Sequence, residues 1–285
     1  MPKRILIIGA LALISMISAS LSAWFEVPRQ TKIMTTQLFQ RQAKCPNWVT
    51  LSQEQVVPLP QQFSLASWNI YKTQNPGWQS MLEKLSKKAE VVALQEARES
   101  TTQAYWRSRG WSATMLEAFS MGNKTVGVQL ASQFPPKMVC GRRQHEPLIR
   151  LPKSLLVGVY PIADSQQELW VISLHSINFS WQIAPYLQQL ADMSAVIAQH
   201  SGPVIIAGDF NTWSKRRLAV LDSWMKQHGL QAVSFKNDRR SRFFGHALDH
   251  IYYRDLAMIR SRVLATQASD HNALLATFKI IHSAG

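Results

Sequence analysis

Cysteine is nearly absent from this sequence, which holds only Cys45 and Cys140 among 285 residues. There is no Cys-x-x-Cys pair, and no histidine stands at ligand spacing beside either cysteine. The shortage therefore excludes a cysteine-based metal cluster. The two thiols can form one disulfide if the domain is exported, or both can remain free.

Acidic residues are also scarce: 17 Asp and Glu oppose 31 Lys and Arg, which gives a formal net charge of +14. This surplus favours a polyanionic partner, such as nucleic acid, an anionic membrane surface or a phosphorylated substrate. The alternative is a charge that only keeps the protein soluble. The basic residues are clustered, however, as Arg142-Arg143, Lys215-Arg216-Arg217 and Arg239-Arg240 with Arg242.

Apolar residues are plentiful, and their share of 46% excludes a disordered chain. One long uncharged run, Ile5 to Phe25, follows Lys3 and Arg4. Its length suits a bilayer span, while its basic start and late small residues suit a signal peptide. We therefore predict a signal peptide or membrane anchor over residues 1–25, with the rest periplasmic, in the cell envelope or secreted. A cytoplasmic protein with a buried amino-terminal helix is the alternative.

The remaining chain is predicted to be one domain behind a linker. Residues 26–60 are rich in Gln, Thr and Pro and lack sustained periodicity, which indicates a linker or approach segment. Residues 61–285 alternate strand and helix patterns only in places, so hairpins must complete the sheets. The predicted strands include Phe63–Ile70, Val91–Glu96, Thr125–Leu130, Leu155–Tyr160, Leu169–His175, Leu248–Tyr253 and Ala273–Ile280, and the predicted helices are Trp78–Lys88, Thr101–Arg109, Pro185–His200 and Arg217–His228.

The most informative stretch runs from Val204 to Trp213. A β-branched apolar run ends at Gly208, and Asp209 and Asn211 follow it two positions apart. Such a run predicts a buried strand, and open α/β folds place their sites at the carboxyl ends of buried strands. A carboxylate beside an amide can hold and orient a water molecule. The alternative is an Asx turn that caps the next helix.

Other predicted strands carry polar groups at their ends that a buried strand does not need. Each has an ordinary explanation by itself, as a turn cap, a hydrogen-bonded core residue or a loop residue. Their recurrence along the chain instead predicts one site shared by several strands. The residues are Asn69, Glu96, His175, Asp209, Asn211, Asp249, Asp270 and His271.

These segments resemble the signatures of the endonuclease/exonuclease/phosphatase superfamily, which has the DNase I-like fold. Finer features, including Trp-Asn-Ile-Tyr-Lys and Arg-Arg before Leu-Asp, are similar to a bacterial subgroup typified by YafD. The resemblance implies an α/β fold, a four-layer α-β-β-α sandwich of two packed mixed sheets flanked by helices, and metal-dependent phosphoester hydrolysis. The matching segments are Trp68-Asn69-Ile70, Leu94-Gln95-Glu96, Leu174-His175-Ser176, Gly208-Asp209-Phe210-Asn211, Leu248-Asp249 and Ser269-Asp270-His271.

The resemblance implies a divalent metal, Mg²⁺ or Mn²⁺, held by Glu96 and Asn69. Asp270 would add a second carboxylate. Hard oxygen donors of this kind are the ligands that such cations prefer. A metal neutralises charge on a phosphodiester that an incoming water attacks.

The resemblance also implies the catalytic roles. Asp209 would act as the base, with Asn211 orienting the attacking water. His271, protonated and held by Asp249, would donate to a phosphoryl oxygen. His175 would be a second phosphate-contacting histidine, as in the DNase I, sphingomyelinase and phosphatase branches.

Substrate contacts are predicted from the basic clusters on both sides of the central motif. Arg216, Arg217 and Arg240 are expected to border the cleft, and the family resemblance implies that Asn178 lines it. A cleft with several arginines favours a substrate with several phosphates, which places nucleic acid first and anionic phospholipid second. Trp213 can stack on bases, although tryptophan is more often a core residue.

The leading interpretation is a monomeric, metal-dependent phosphodiesterase, most simply a nuclease. A second keeps the chemistry and acts on a phospholipid or a phosphorylated sugar. A third is a membrane-tethered binding module without turnover, and a fourth is a basic nucleic-acid-binding protein. The intact set of polar residues argues against the third, because a decayed site would have lost at least one of them.

Overall fold

The computed structural model describes residues 25–36, 40–42, 44–51 and 57–281. Its helices are α1 (Trp78–Ser86), α2 (Glu99–Arg107), α3 (Ala184–Ile197) and α4 (Lys215–Gln227), with a short 3-10 helix over Tyr71–Thr73. Its strands are β1 (Phe25–Glu26), β2 (Lys32–Thr35), β3 (Gln40–Gln42), β4 (Val49–Thr50), β5 (Gln62–Asn69), β6 (Val91–Arg98), β7 (Ser112–Met121), β8 (Lys124–Ser132), β9 (Met138–His145), β10 (Pro152–Pro161), β11 (Glu168–His175), β12 (Val204–Asp209), β13 (Gln231–Ala232), β14 (Arg242–Phe243), β15 (His246–Ala247), β16 (Asp249–Arg254), β17 (Leu256–Leu264) and β18 (Ala273–Ile280).

In the described part of the chain, the strands form two large mixed sheets and one small hairpin. The first sheet has the order β17-β18-β5-β6-β8-β7-β2-β3, with β1 beside β7, and the second has the order β13-β16-β12-β11-β10-β9-β4. Each large sheet contains one parallel pair, β5 with β6 and β11 with β12, and its other pairs are antiparallel. The hairpin pairs β14 with β15.

The two sheets pack face to face, and helices cover their outer faces. Alternating strand residues explain this arrangement, because successive side chains point to opposite faces. Ile205 and Ala207 join the core between the sheets, whereas Val204 and Ile206 pack beneath α3 and α4. Helices α1 and α2 cover the outer face of the first sheet. The predicted α/β fold, a four-layer α-β-β-α sandwich, is confirmed.

The segment 26–60 is more structured than its composition predicts. Strand β2 pairs with β7, and its Ile33 and Met34 are buried. Strand β4 pairs with β9, and Cys45 and Cys140 form a disulfide with Cα atoms 5.0 Å apart. Because these strands are too short to show periodicity, the sequence alone indicates a linker in this segment.

The predicted signal peptide or anchor lies outside the described residues, except for Phe25. Among the described helices, none combines the length and apolar character that a bilayer span requires. Most predicted elements are present with ends that differ by a few residues. Strands β7, β9 and β17 were not predicted, and they supply the hairpins that complete both sheets.

Candidate active site

The polar strand ends predicted from the sequence meet at one edge of the sandwich. Asn69 ends β5, His175 ends β11 and Asp209 ends β12, so their side chains lie at the carboxyl ends of the two parallel pairs. The register pairs His175 with Asp209, and Asp209 with Asp249 at the start of β16. Both sheets therefore contribute groups to one site.

Asp209 lies at the centre of this site. Its Oδ2 accepts a hydrogen bond from Asn69 Nδ2 at 3.1 Å and lies 3.4 Å from His175 Nε2 and 4.0 Å from His271 Nε2. Burial raises the pKa of Asp209 to about 6, although the charge of His271 opposes that rise. A carboxylate with this pKa is ionised at neutral pH and basic enough to accept a proton from water.

The turn after β12 explains why the motif reads Gly-Asp-Phe-Asn. A Cβ on Gly208 would lie 1.9 Å from the carbonyl oxygen of Leu174, so only glycine allows β11 to approach this closely. Asn211 adopts a left-handed conformation with φ of 50°, its backbone N–H donates to Asp209 Oδ1, and its Nδ2 donates to the Ser176 carbonyl. The amide is thereby fixed beside the carboxylate.

His271 and Asp249 form the closest histidine–carboxylate pair of the site, with Nδ1 and Oδ2 2.7 Å apart. Burial would lower the pKa of His271, but the charge and hydrogen bond of Asp249, with Asp209 and Asp270, outweigh it and raise the pKa to about 10. His271 is therefore an imidazolium at neutral pH. Its backbone is held by Trp68 Nε1, which donates to the His271 carbonyl at 2.9 Å.

Glu96 reaches the cleft because β6 is irregular there. The register between β6 and β8 shifts between Leu94 and Ala97, and Glu96 has a φ of 52°. A bulge re-aims a side chain in this way. The Glu96 carboxylate pairs with the ammonium of Lys72, which lies in a run of three residues with positive φ. Backbone strain of this kind concentrates at functional sites.

Lys153 is a site residue that the sequence did not reveal. Its Nζ lies 2.6 Å from His175 Nε2 and donates to it, since an amine has protons to give and a neutral imidazole has one accepting nitrogen. Burial lowers the pKa of Lys153 while Glu96, Asp209 and Glu146 oppose that change. Burial and the charge of Lys153 lower the pKa of His175 well below the usual range. His175 is thus neutral, and the Lys153 side chain lies against it.

These groups form the floor of a cleft of about 570 Å³. The floor is polar, while much of the mouth is aromatic or aliphatic. Asp270 lies at the exposed end of the Ser-Asp-His turn, where its Oδ1 accepts from Ser269 Oγ at 3.2 Å. Trp213 also lines the cleft, half-buried and packed over the Arg217 guanidinium. The residues lining the cleft include Asn69, Tyr71, Lys72, Glu96, Leu148, Lys153, His175, Asn178, Phe179, Trp181, Asp209, Asn211, Trp213, Phe243, Phe244, Asp270 and His271.

The prediction that three arginines border the cleft differs from the structure. Arg217 is 2% exposed, and its guanidinium donates to the carbonyls of Ile177, Asn178, Ser180 and Asn211. It braces loops from inside and cannot contact substrate. Such a buried role has no signature in a cluster of basic residues.

The other two arginines also lie outside the cleft lining, whereas Asn178 lines it as predicted. Arg216 is exposed on α4. Arg240 is bound to Asp238 and lies 3.0 Å from His250 Nδ1. The basic side chains that do face the cleft include Lys72, Lys153 and His271.

The donors near Glu96 suit a hard, hydrated cation. In the described ranges, no group of three or more His, Cys, Asp or Glu side chains is arranged to hold a metal. Mg²⁺, however, commonly uses one or two carboxylates and keeps several waters. The Glu96 carboxylate already attracts the Lys72 ammonium, and Asn69 and Asp270 border the same cleft. These residues therefore fit Mg²⁺ or Mn²⁺.

Comparison with known proteins decides the family. A model described as the Endonuclease/Exonuclease/phosphatase family matches residues 66–271, which span the site from β5 to His271. The chain belongs to the endonuclease/exonuclease/phosphatase family. It is 38% identical over 260 residues to a UPF0294 protein of Vibrio vulnificus strain YJ016, covering 90% of each chain. It is 40% identical over 224 residues to a UPF0294 protein of Yersinia pseudotuberculosis, covering 78% of this chain and 86% of that one.

Solved structures of the endonuclease/exonuclease/phosphatase family share the fold. The human Nocturnin catalytic domain with bound sulfate has a TM-score of 0.58 and 17% identity, over 79% of this chain and 97% of that one. ANGEL2, a 2′,3′-cyclic phosphatase, has a TM-score of 0.59 and 17% identity, over 82% of this chain and 98% of that one. At these identities the likeness establishes the fold alone.

Proposed function

We propose that this endonuclease/exonuclease/phosphatase-family protein is a divalent-metal-dependent hydrolase of phosphodiester bonds. The observation that carries the proposal is the placement of Asp209. Its carboxylate lies between a charged imidazole, His271, and a neutral one, His175, at the floor of an open cleft. Phosphoester hydrolysis needs a base for water beside donors for the phosphoryl oxygens, and these groups are both present.

Each group has a role that its surroundings support. Asp209 accepts the proton of the attacking water, which Asn211 helps to orient. His271 donates from Nε2 to a phosphoryl oxygen, because its Nδ1 is bound to Asp249. Lys153 places an amine at His175 that can donate a hydrogen bond. Burying this set of charges costs free energy, and groups with shifted pKa values cluster at functional sites, so a purely structural role explains the set less well.

The metal would be held by Glu96, with Asn69 and Asp270 nearby. Bound there, Mg²⁺ or Mn²⁺ would neutralise charge on the phosphoryl oxygens as a Lewis acid. Tyr71 and Lys72 of the Trp-Asn-Ile-Tyr-Lys motif line the same cleft. The sequence of this motif supports the finer proposal that the chain falls in the subgroup typified by YafD.

Nuclease activity is a second candidate for the same site. The net charge of +14 favours a polyanion, and Trp213 faces the cleft where a base can stack. The arginines on which the nuclease prediction depended do not line the cleft. The support that charge gives to a nuclease is therefore the net charge of the whole chain. We propose the broader activity first for that reason.

Location in the cell envelope is proposed as well. The sequence of residues 1–25 supports export or anchoring, and the Cys45–Cys140 disulfide is typical of an oxidising compartment. A reporter fused after residue 60 is expected to be active only in its exported form.

The test of the activity uses a soluble chromogenic phosphodiester, bis(p-nitrophenyl) phosphate. We expect hydrolysis with Mg²⁺ or Mn²⁺ and its loss in excess EDTA. Replacing the carboxylate in Glu96→Gln should weaken Mn²⁺ binding, measured by titration calorimetry, and lower turnover about a hundredfold. Glu99→Gln, three residues further at the start of α2, is the matched control and should behave as wild type.

Undiminished hydrolysis in EDTA would contradict the metal requirement. Equal turnover of the Glu96→Gln and Glu99→Gln variants would remove Glu96 from the site.

A further inference from the structure

Six large apolar side chains are exposed around the mouth of the cleft. The most exposed are Trp181 at 85%, Phe244 at 73% and Leu148 at 67%. A monomeric soluble protein rarely groups such residues, and a patch of this kind marks an interaction surface. We name these residues the apolar rim: Leu148, Ile149, Phe179, Trp181, Phe243 and Phe244.

The apolar rim comes from three separate segments that meet only in the fold. Leu148 and Ile149 lie between β9 and β10, and Phe179 and Trp181 follow β11. Phe243 and Phe244 form the tip of the β14–β15 hairpin, with ring centroids 4.4 Å apart. Because three separate segments bring these residues to one mouth, the apolar rim is poorly explained as a chance scatter of exposed apolar side chains.

Buried charges hold the second segment in place. Glu146 accepts hydrogen bonds from the backbone N–H groups of Asn178 and Phe179. Arg217 binds the carbonyls of Asn178 and Ser180 from below. The loop itself therefore holds Phe179 and Trp181 pointing outward. Binding through these side chains would lose little conformational entropy.

The hairpin tip is also preformed. Arg242 Nη1 donates to the Gly245 carbonyl, and Arg242 Nη2 binds Asp238. Phe244 has a φ of 48°, a left-handed conformation that a bulky residue adopts only under constraint. This turn keeps both phenyl rings in solvent.

The chemistry of the rim segments favours a lipid surface. Residues 147–151, 179–181 and 242–246 contain no Asp or Glu but include Arg150 and Arg242. Aromatic rings with nearby arginine suit the headgroup region of an anionic bilayer. The aliphatic Leu148 and Ile149 cannot stack on bases, so they distinguish this surface from a platform for single-stranded nucleic acid.

The start of the domain lies on the same side as the rim. Phe25, the last residue of the uncharged run, packs edge-to-face on Phe119 with ring centroids 5.8 Å apart. Phe119 lines a branch of the cleft together with Ile149 and Phe179. A membrane-bound run that ends at Phe25 would therefore hold the cleft mouth close to the bilayer.

We propose that the apolar rim docks on a bilayer containing anionic phospholipid, so that the cleft floor meets the phosphodiester of a membrane-embedded lipid. The choice of substrate rests on the proposed function, whereas docking can be measured without turnover. Hydrolysis would break a P–O bond of the lipid headgroup, with water supplying the new P–O bond and a proton to the leaving oxygen.

Docking is tested with the full-length chain reconstituted in vesicles of phosphatidylglycerol and phosphatidylcholine. A cysteine introduced by Phe244→Cys carries an environment-sensitive fluorophore, and lipids with doxyl-labelled acyl chains act as quenchers. We expect strong quenching at position 244. The control is Ile259→Cys, at another exposed position. Ile259 lies in β17 toward the end that is far from the site, whereas Leu264 at the other end pairs with Ala273 beside the site. Equal quenching at the two positions would overturn the docking.

The substrate is tested by a ratio of activities. Headgroup release from the same vesicles is divided by hydrolysis of bis(p-nitrophenyl) phosphate for each protein. Phe244→Ser and Leu148→Ser should each lower the ratio about tenfold, since each removes a buried apolar contact with the bilayer. Ile259→Ser should leave the ratio unchanged.

The outcomes separate the two proposals. Quenching without hydrolysis of either substrate would retain docking and refute the proposed function. Hydrolysis of the soluble diester and of DNA, with no quenching at position 244 and no headgroup release, would refute docking and favour the nuclease.

Discussion

Asp249 determines both the direction and the charge of the His271 imidazole. The carboxylate fixes Nδ1 at 2.7 Å, which leaves Nε2 toward Asp209 and the cleft. It also opposes the effect of burial, so that the pKa of His271 rises to about 10. One side chain thus fixes the orientation of its neighbour and keeps that neighbour protonated.

We predict that Asp249→Asn lowers turnover by about two orders of magnitude with little loss of fold, as the loss of an orienting carboxylate does elsewhere. In the wild type, His271 stays protonated until the pH approaches about 10. The variant retains the effect of burial without the main opposing charge, so its imidazolium should lose its proton at lower pH. Activity of the variant should therefore decline with rising pH earlier than that of the wild type.

The measurements are a pH–rate profile and an NMR titration of His271. The control is Asp255→Asn, just beyond the other end of β16, where the carboxylate is exposed. An unchanged His271 titration in the Asp249→Asn protein would contradict the assignment.

Lys153 shows what a single sequence conceals at the residue scale. The predicted strand begins at Leu155, and a lysine before it resembles any solvated residue at a strand end. The structure extends β10 to Pro152, and the register with β11 pairs Ser154 with His175. Only that register brings the ammonium to the imidazole. Residues within conspicuous motifs could be predicted, whereas a partner supplied by strand register could not.

At the scale of elements, Arg217 connects α4 to the loop after β11. Its guanidinium binds four carbonyls and packs over the rings of Trp213 and Tyr186. The helix begins one residue after Ser214. The Ser214 hydroxyl accepts a hydrogen bond from the Arg217 backbone N–H and so caps the helix. The first turn of α4 is thereby part of the support for the cleft.

We predict that Arg217→Met lowers the free energy of unfolding by about 3 kcal/mol or more, because it leaves several buried carbonyls without donors. Arg216→Met, at the adjacent exposed position, should change it by less than about 0.5 kcal/mol. Chemical denaturation of both variants provides the comparison. Equal stability of the two proteins would show that the buried guanidinium contributes no net free energy.

Helices and strands could be predicted where their burial leaves a pattern of apolar residues in the sequence. Strands β6, β11 and β12 are largely apolar with polar ends, and β5 has an alternating pattern that ends at Asn69, so both their type and their role in the site follow from the sequence. Strand β9 carries Arg142 and Arg143, and β17 alternates weakly, with several exposed residues. Their pairing depends on neighbouring strands far along the chain, and such long-range context outweighs local pattern.

At the scale of the whole molecule, the disulfide connects the early segment to the second sheet. Cys45 and Cys140 are buried and 95 residues apart, and β4 pairs with β9 next to them. The cross-link therefore constrains a long loop of the unfolded chain that includes β5 to β8.

We predict that reduction lowers the free energy of unfolding by about 2–5 kcal/mol, as expected for a cross-link closing a loop of this size. Thermal unfolding with and without dithiothreitol measures the change. A variant with Cys45→Ser and Cys140→Ser should already have the lower stability and should not respond to the reductant. An equal response of both proteins would assign the effect to something other than this bond.

The order of strands in the first sheet determines when all residues of the candidate site are present. The chain builds β5 to β8 of that sheet, passes through the second sheet, and returns with β17 and β18, which pairs with β5. His271 lies two residues before β18, so the position of its imidazolium beside Asp209 depends on the placement of that strand. A chain that stops before His271 would hold every other residue of the candidate site and would lack the imidazolium. The candidate site is therefore complete only once the last described strand has been made.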